Sequence, residues 1–139
     1  MKLKSALCAL IFAGFAYADM VVGPNALPQN AQNFIQTYFK GVQIGLVKQD
    51  MDSFDVVLND GTEIDFFING EWKDVDGKYK AIPTGFLPPA AVANARATQP
   101  NAQIFQVDRE PYGFKFKFNN QMEVYTDMNG NIMGQKFDD

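Results

Sequence analysis

Apolar and polar residues alternate most sharply along Phe114-Lys115-Phe116-Lys117-Phe118, where three rings fall on one side of an extended chain and two lysines on the other. This period of two predicts a strand whose one face meets a core while the other stays open, as in an antiparallel sheet. The same reading predicts strands over Val42 to Gln49, Phe54 to Asn59, Thr62 to Ile68 and a shorter segment around Trp72. Four more follow over Ala102 to Asp108, Phe114 to Asn119, Met122 to Met128 and Ile132 to Phe137. Asp60-Gly61, Asn69-Gly70, Asn119-Asn120 and Asn129-Gly130 separate them as hairpin turns, because Asn and Gly tolerate the positive φ of tight turns. A different period governs Ala31, Phe34, Ile35, Tyr38 and Phe39, which form a helical stripe entered at Pro28 and ended by Gly41. Leu87-Pro88-Pro89 and Pro100 bracket a second helix, whose apolar residues Ala91, Val92 and Ala95 are much smaller. That helix can lie closer to its sheet, or bury less area.

These elements recur at a spacing of sixty residues. Leu27-Pro28 falls on Leu87-Pro88, Ile44 on Ile104, Phe54 on Phe114, Glu63 on Glu123 and Asn69-Gly70 on Asn129-Gly130. Such self-similarity predicts an α+β fold built as a tandem duplicated unit, one helix followed by a four-stranded antiparallel sheet, twice. The units run over residues 19–76 and 85–139, with 77–84 as the linker.

Residues 1–18 read as a signal peptide: Lys2 and Lys4, the apolar run Ala6 to Phe15, then Ala16-Tyr17-Ala18. Cleavage before Asp19 predicts an exported protein, periplasmic or secreted, with no membrane insertion. It also removes Cys8, so neither disulfide nor thiol chemistry remains. Ten basic residues then face sixteen acidic ones, a net charge of −6 without a basic cluster, which disfavours nucleic acid as a partner.

Histidine is absent from the sequence, and with it the commonest general base and transition-metal ligand. Ser53, the one serine after residue 18, has no histidine to activate it. No Gly-rich loop resembles a phosphate cradle. Carboxylates remain: Glu63, Asp65, Glu123 and Asp127. A hydrolase built on them requires one to be desolvated with a raised pKa; on an open strand face they read as a solvated polar surface. Asp127-Met128-Asn129-Gly130-Asn131 has the start of a calcium loop but the spacing of a hairpin turn. No enzymatic activity, cofactor or metal is expected.

The segments Leu27-Pro28, Asp60-Gly61-Thr62-Glu63-Ile64-Asp65-Phe66 and Asn69-Gly70-Glu71-Trp72-Lys73-Asp74-Val75-Asp76 resemble the PepSY-like, beta-lactamase-inhibitor-like family of small exported bacterial proteins. The resemblance extends through Ile82-Pro83, Pro100-Asn101-Ala102 and Asp127-Met128-Asn129-Gly130. It implies a tandem α+β architecture with an open sheet face able to receive a protein partner, and it assigns no functional residue.

On that face the alternation puts Phe67 and Tyr125 as ring anchors, with Val57 beside them and Lys115 and Lys117 on a neighbouring strand. Glu63, Glu123, Lys115 and Lys117 would set polar register around the rings. Large rings bordered by charges suit a protein or peptide partner; a sensor of small molecules or ions is the alternative. Trp72 depends on its turn. A two-residue turn at Asn69-Gly70 sends it to the open face, whereas a three-residue turn buries it. The aliphatic Ile132 at the equivalent place favours burial.

Overall fold

The computed structural model describes residues 19–138, so the predicted signal peptide lies outside the described residues. The described residues form nine strands, eight of them where the alternation predicts: β1 (Met20–Val22), β2 (Ile44–Gln49), β3 (Ser53–Leu58), β4 (Glu63–Phe67), β5 (Trp72–Asp76), β6 (Ile104–Glu110), β7 (Gly113–Phe118), β8 (Met122–Asp127) and β9 (Ile132–Phe137). Helix α1 (Gln29–Tyr38) precedes β2, and α2 (Pro89–Thr98) precedes β6. Pro28 sits just before the first helical residue, and Pro89 occupies the opening turn of α2, where a missing N–H leaves no bond unmade.

The strands do not form two four-stranded sheets. They make one nine-stranded antiparallel sheet in the order β1 to β9, which overturns the expected tandem of helix plus four-stranded sheet. The physical reason is the edge. Ending a sheet at β5 and starting another at β6 would leave two rows of unpaired backbone groups. Instead Asp74 pairs with Asp108, Val75 with Val107 and Asp76 with Gln106. At the other end Met20–Val22, which the pattern does not predict as a strand, covers the outer edge of β2.

Four bulges shape the sheet, and their positions recur at the sixty-residue spacing. Gly45 and Phe105 are the extra residues opposite β3 and β7, and Lys73 and Met133 those opposite β4 and β8. The bulge at Lys73, together with a turn in which Gly70 adopts φ +88°, carries Trp72 to the helix side, where it is buried. There Phe34, Phe66, Trp72 and Phe86 stack edge to face with centroids 5.0–5.7 Å apart. Phe54, Val56, Leu58, Ile64, Val75, Val107, Phe116, Phe118 and Val124 complete the buried face. Ala91 and Ala95 are wholly buried, and the Cα atoms of α2 come within 8 Å of those of β8 and β9 at several positions, so the small-residue helix does lie close to the sheet.

Candidate functional site

The face away from the helices carries alternate residues of every strand from β2 to β8, and most of their side chains stay half-exposed. Register brings them into rows that no single strand reveals. One row crosses the sheet as Lys48, Asp55, Asp65, Asp74, Asp108, Lys115 and Tyr125, each directly opposite the next. A second runs Val57, Glu63, Asp76, Gln106, Lys117, Glu123 and Lys136. Four consecutive strands therefore present aspartates to one another, although like charges placed opposite destabilise a strand pair.

Their acidity responds. Burial raises the Asp55 carboxyl above its usual range. Asp65 is pushed up to about 7, by burial first and then by the Asp55 charge. Asp74 is pushed up to about 9 by burial and by its hydrogen bond with Asp108. Gln106 opposes that shift, donating from Nε2 to Asp74 Oδ1 at 3.0 Å. Lys115 follows the four aspartates, its Nζ 3.2 Å from Asp108. A shallow hollow of about 320 Å³ lies over this end, lined by Lys73, Asp74, Gln106, Asp108, Arg109 and Glu110. A larger apolar hollow of about 480 Å³, at the end of α1 beside Ile35, Phe39, Val42 and Ile44, holds no carboxylate.

The residues singled out in the sequence fall into two groups. Val57 and Glu63 are cross-strand neighbours on β3 and β4, with Phe67 farther along β4 beneath the Lys73 ammonium at 5.8 Å. Lys115, Lys117, Glu123 and Tyr125 pair across β7 and β8. Lys115 and Lys117 are not on a strand neighbouring Val57, because β4, β5 and β6 intervene. Phe67 and Tyr125 stand four strand spacings apart, roughly 19 Å. Glu123 is buried, and accepts a hydrogen bond of 2.5 Å from the Tyr125 hydroxyl, which holds that phenol up to about 12. Lys117 meets Asp138 at 2.6 Å, and Lys78 meets Glu63 at 3.3 Å. Asp127 is spent on its turn, accepting from the Asn129 and Asn131 amides at 2.9 Å each.

Asp55, Asp74 and Asp108 escaped sequence reasoning. Asp55 and Asp74 each face Asp65 across a hairpin, but Asp108 joins them only through the pairing of β5 and β6, which brings together residues 34 apart and follows no local pattern. A further carboxylate group lies at the end of the row: single oxygens of Asp19, Asp50 and Asp55 approach one another within 4.8 Å. Asp50 Oδ1 already accepts from the Asp52 and Ser53 amides at 2.8 Å, which holds this carboxyl below its usual range.

A broad open antiparallel sheet with helices on one side only, bearing paired charges and isolated rings, is the frame of a family. Residues 52–134 match the family described as "Putative beta-lactamase-inhibitor-like, PepSY-like", and the chain belongs to it. Solved structures agree over most of the chain. A "putative calcium-regulated periplasmic protein" of Bacteroides thetaiotaomicron is 25% identical, with a TM-score of 0.79 over 85% of this chain and 96% of its own. Two proteins of Bacteroides vulgatus, both described as periplasmic and one as of unknown function, are 30% and 29% identical. Their TM-scores are 0.78 and 0.79, over 85% and 86% of this chain and 96% and 99% of theirs. No curated protein matches. The protein is periplasmic or secreted, in keeping with neighbours described as periplasmic. No helix among the described residues is long and apolar enough to cross a membrane.

Proposed function

We propose that the protein is a non-enzymatic binding module of the cell envelope that takes a protein or peptide partner on its open sheet face. The observation that carries this reading is the face itself, which no helix covers from β2 to β8 while the opposite face is fully occupied. Phe67, with Val57 and Glu63, forms one contact region. Tyr125, with Lys115 and Lys117, forms the other, and the buried Glu123 holds the Tyr125 hydroxyl in place. A partner engaging both must span about 19 Å, which suits a folded surface or an extended segment laid across the strands. An inhibitor-like version has an envelope hydrolase as that partner. The carboxyls of raised pKa, Asp55, Asp65 and Asp74, lie in a row on the uncovered face, which offers no separate acid and nucleophile across a cleft.

Tagged protein should capture a stoichiometric partner from its own envelope fraction. A folded Phe67→Ala/Tyr125→Ala variant should bind that purified partner at least about thirtyfold more weakly, the effect of losing one strong anchor. Equal affinity would remove these two rings from the interface.

A second reading has one observation behind it. The Asp19, Asp50 and Asp55 oxygens form an all-oxygen group of the kind calcium prefers, and Asp50 stays ionised because backbone amides hold it. With a neighbour described as calcium-regulated, this supports an ion-binding sensor. Calorimetric titration with calcium should then give a saturable heat that Asp50→Asn abolishes; no heat at millimolar calcium would dismiss it.

A further inference from the structure

The join between β5 and β6 is short. Only three positions pair across it, against five across β3–β4 and six across β6–β7. One of the three is Asp74 opposite Asp108, with carboxyl groups close enough to hydrogen bond. Two ionised carboxylates have only acceptors, so that bond exists when one of them carries a proton. We propose that this seam is a proton-operated joint in the sheet: Asp74, backed by Asp65 and Asp55, keeps a proton and donates it to the Asp108 carboxylate while β5 and β6 are paired, and loss of that proton loosens the pairing.

The surroundings leave little to relieve that ionisation. From β4, Asp65 faces Asp74 directly and Glu63 lies one row away, while Asp55 follows on β3 with Lys48 of β2 beyond it. Lys73 is drawn toward the Phe67 ring, and Lys78 is shared between Glu63 and Asp76 at 3.3 and 3.7 Å. On the β6 side Glu110 adds a negative group at the hollow and Arg109 a positive one that Glu71 engages at 3.1 Å, and Lys117 is held by Asp138. Lys115 of β7 is the cation that contacts the pair, and it does so through Asp108. Gln106 reaches both carboxyls, at 3.0 Å from Asp74 and 3.4 Å from Asp108, but as a neutral amide it cannot balance a second charge. The raised values of Asp65 and Asp74 agree with this arrangement and place the transition around neutral to mildly alkaline pH.

The deciding experiment follows side-chain carboxyl resonances of the full chain by carbon NMR from pH 4 to 10. Amide exchange across the seam is read over pH 5 to 9 and corrected for intrinsic rates. Asp74 should titrate at least about two units above the ordinary aspartate value of about 4. Exchange of β5 and β6 amides should rise by about tenfold per pH unit in the same window, one released proton accompanying each opening. Asp108→Asn should bring the Asp74 midpoint down by at least about one unit, and Asp74→Asn should flatten the exchange profile. An Asp74 midpoint near 4, or seam exchange independent of pH in the unaltered chain, would overturn the proposal; both are read without any variant. Neither measurement needs a partner, so failure here leaves the binding reading untouched.

Discussion

Gly130 shows how much one residue can carry. It adopts φ +90° in the turn between β8 and β9, and a Cβ there would stand 2.7 Å from the Ala91 amide nitrogen at the start of α2. Both the left-handed backbone and the close approach require glycine. Gly130→Ala should therefore cost about 1–3 kcal/mol in guanidinium unfolding. Gly134→Ala, where a Cβ meets nothing within 4 Å, should stay within about 0.5 kcal/mol. Trp72 makes a complementary point. Its burial was legible only as a choice between two turns, and the aliphatic residue at position 132 pointed the right way. Ile132 itself is 40% exposed, however, whereas the Phe86 and Phe114 rings pack on Trp72. The Arg109 guanidinium, 4.5 Å from the Trp72 ring, covers the rest and is invisible to any local pattern.

At the scale of the element, periodicity located both helices and eight of the nine strands, and it identified the core face of β3, β4, β7 and β8 while leaving that of β5 to the choice of turn. It missed β1, since three residues are too few to show a period. The size contrast between the helices was also legible, and it has a mechanical consequence. Ala95 is wholly buried against the sheet, so Ala95→Leu should overpack that contact and cost about 1–3 kcal/mol. Ala97→Leu, on the exposed side of the same helix, should be close to neutral by the same unfolding measurement. A similar loss at both positions would mean that α2 does not sit as described.

For the molecule as a whole, two sets of aspartates pull stability in opposite directions along the pH scale. Turn amides hold Asp50, Asp60 and Asp127 below their usual range, so their contribution is present above about pH 4 and is lost as pH falls through the lowered values. Asp65 and Asp74 are raised to about 7 and about 9, so the folded state holds protons that the unfolded chain has released. Their contribution is fullest below about pH 4 and disappears as pH rises through those values. The guanidinium midpoint should therefore peak in mildly acidic solution and decline toward pH 9, and Asp74→Asn should lessen the alkaline decline. What the sequence by itself determined is local: the element types, their order, the turns, the buried face of β3, β4, β7 and β8 and an exported family. Each follows from steric and solvation preferences of residues a few positions apart. Only the tertiary structure decided that β5 joins β6, that one sheet replaces two, and that four aspartates meet in a row. Strand pairing is made by backbone hydrogen bonds common to nearly every residue, so side-chain pattern leaves the partner open, and opposed like charges argue against the pairing that forms.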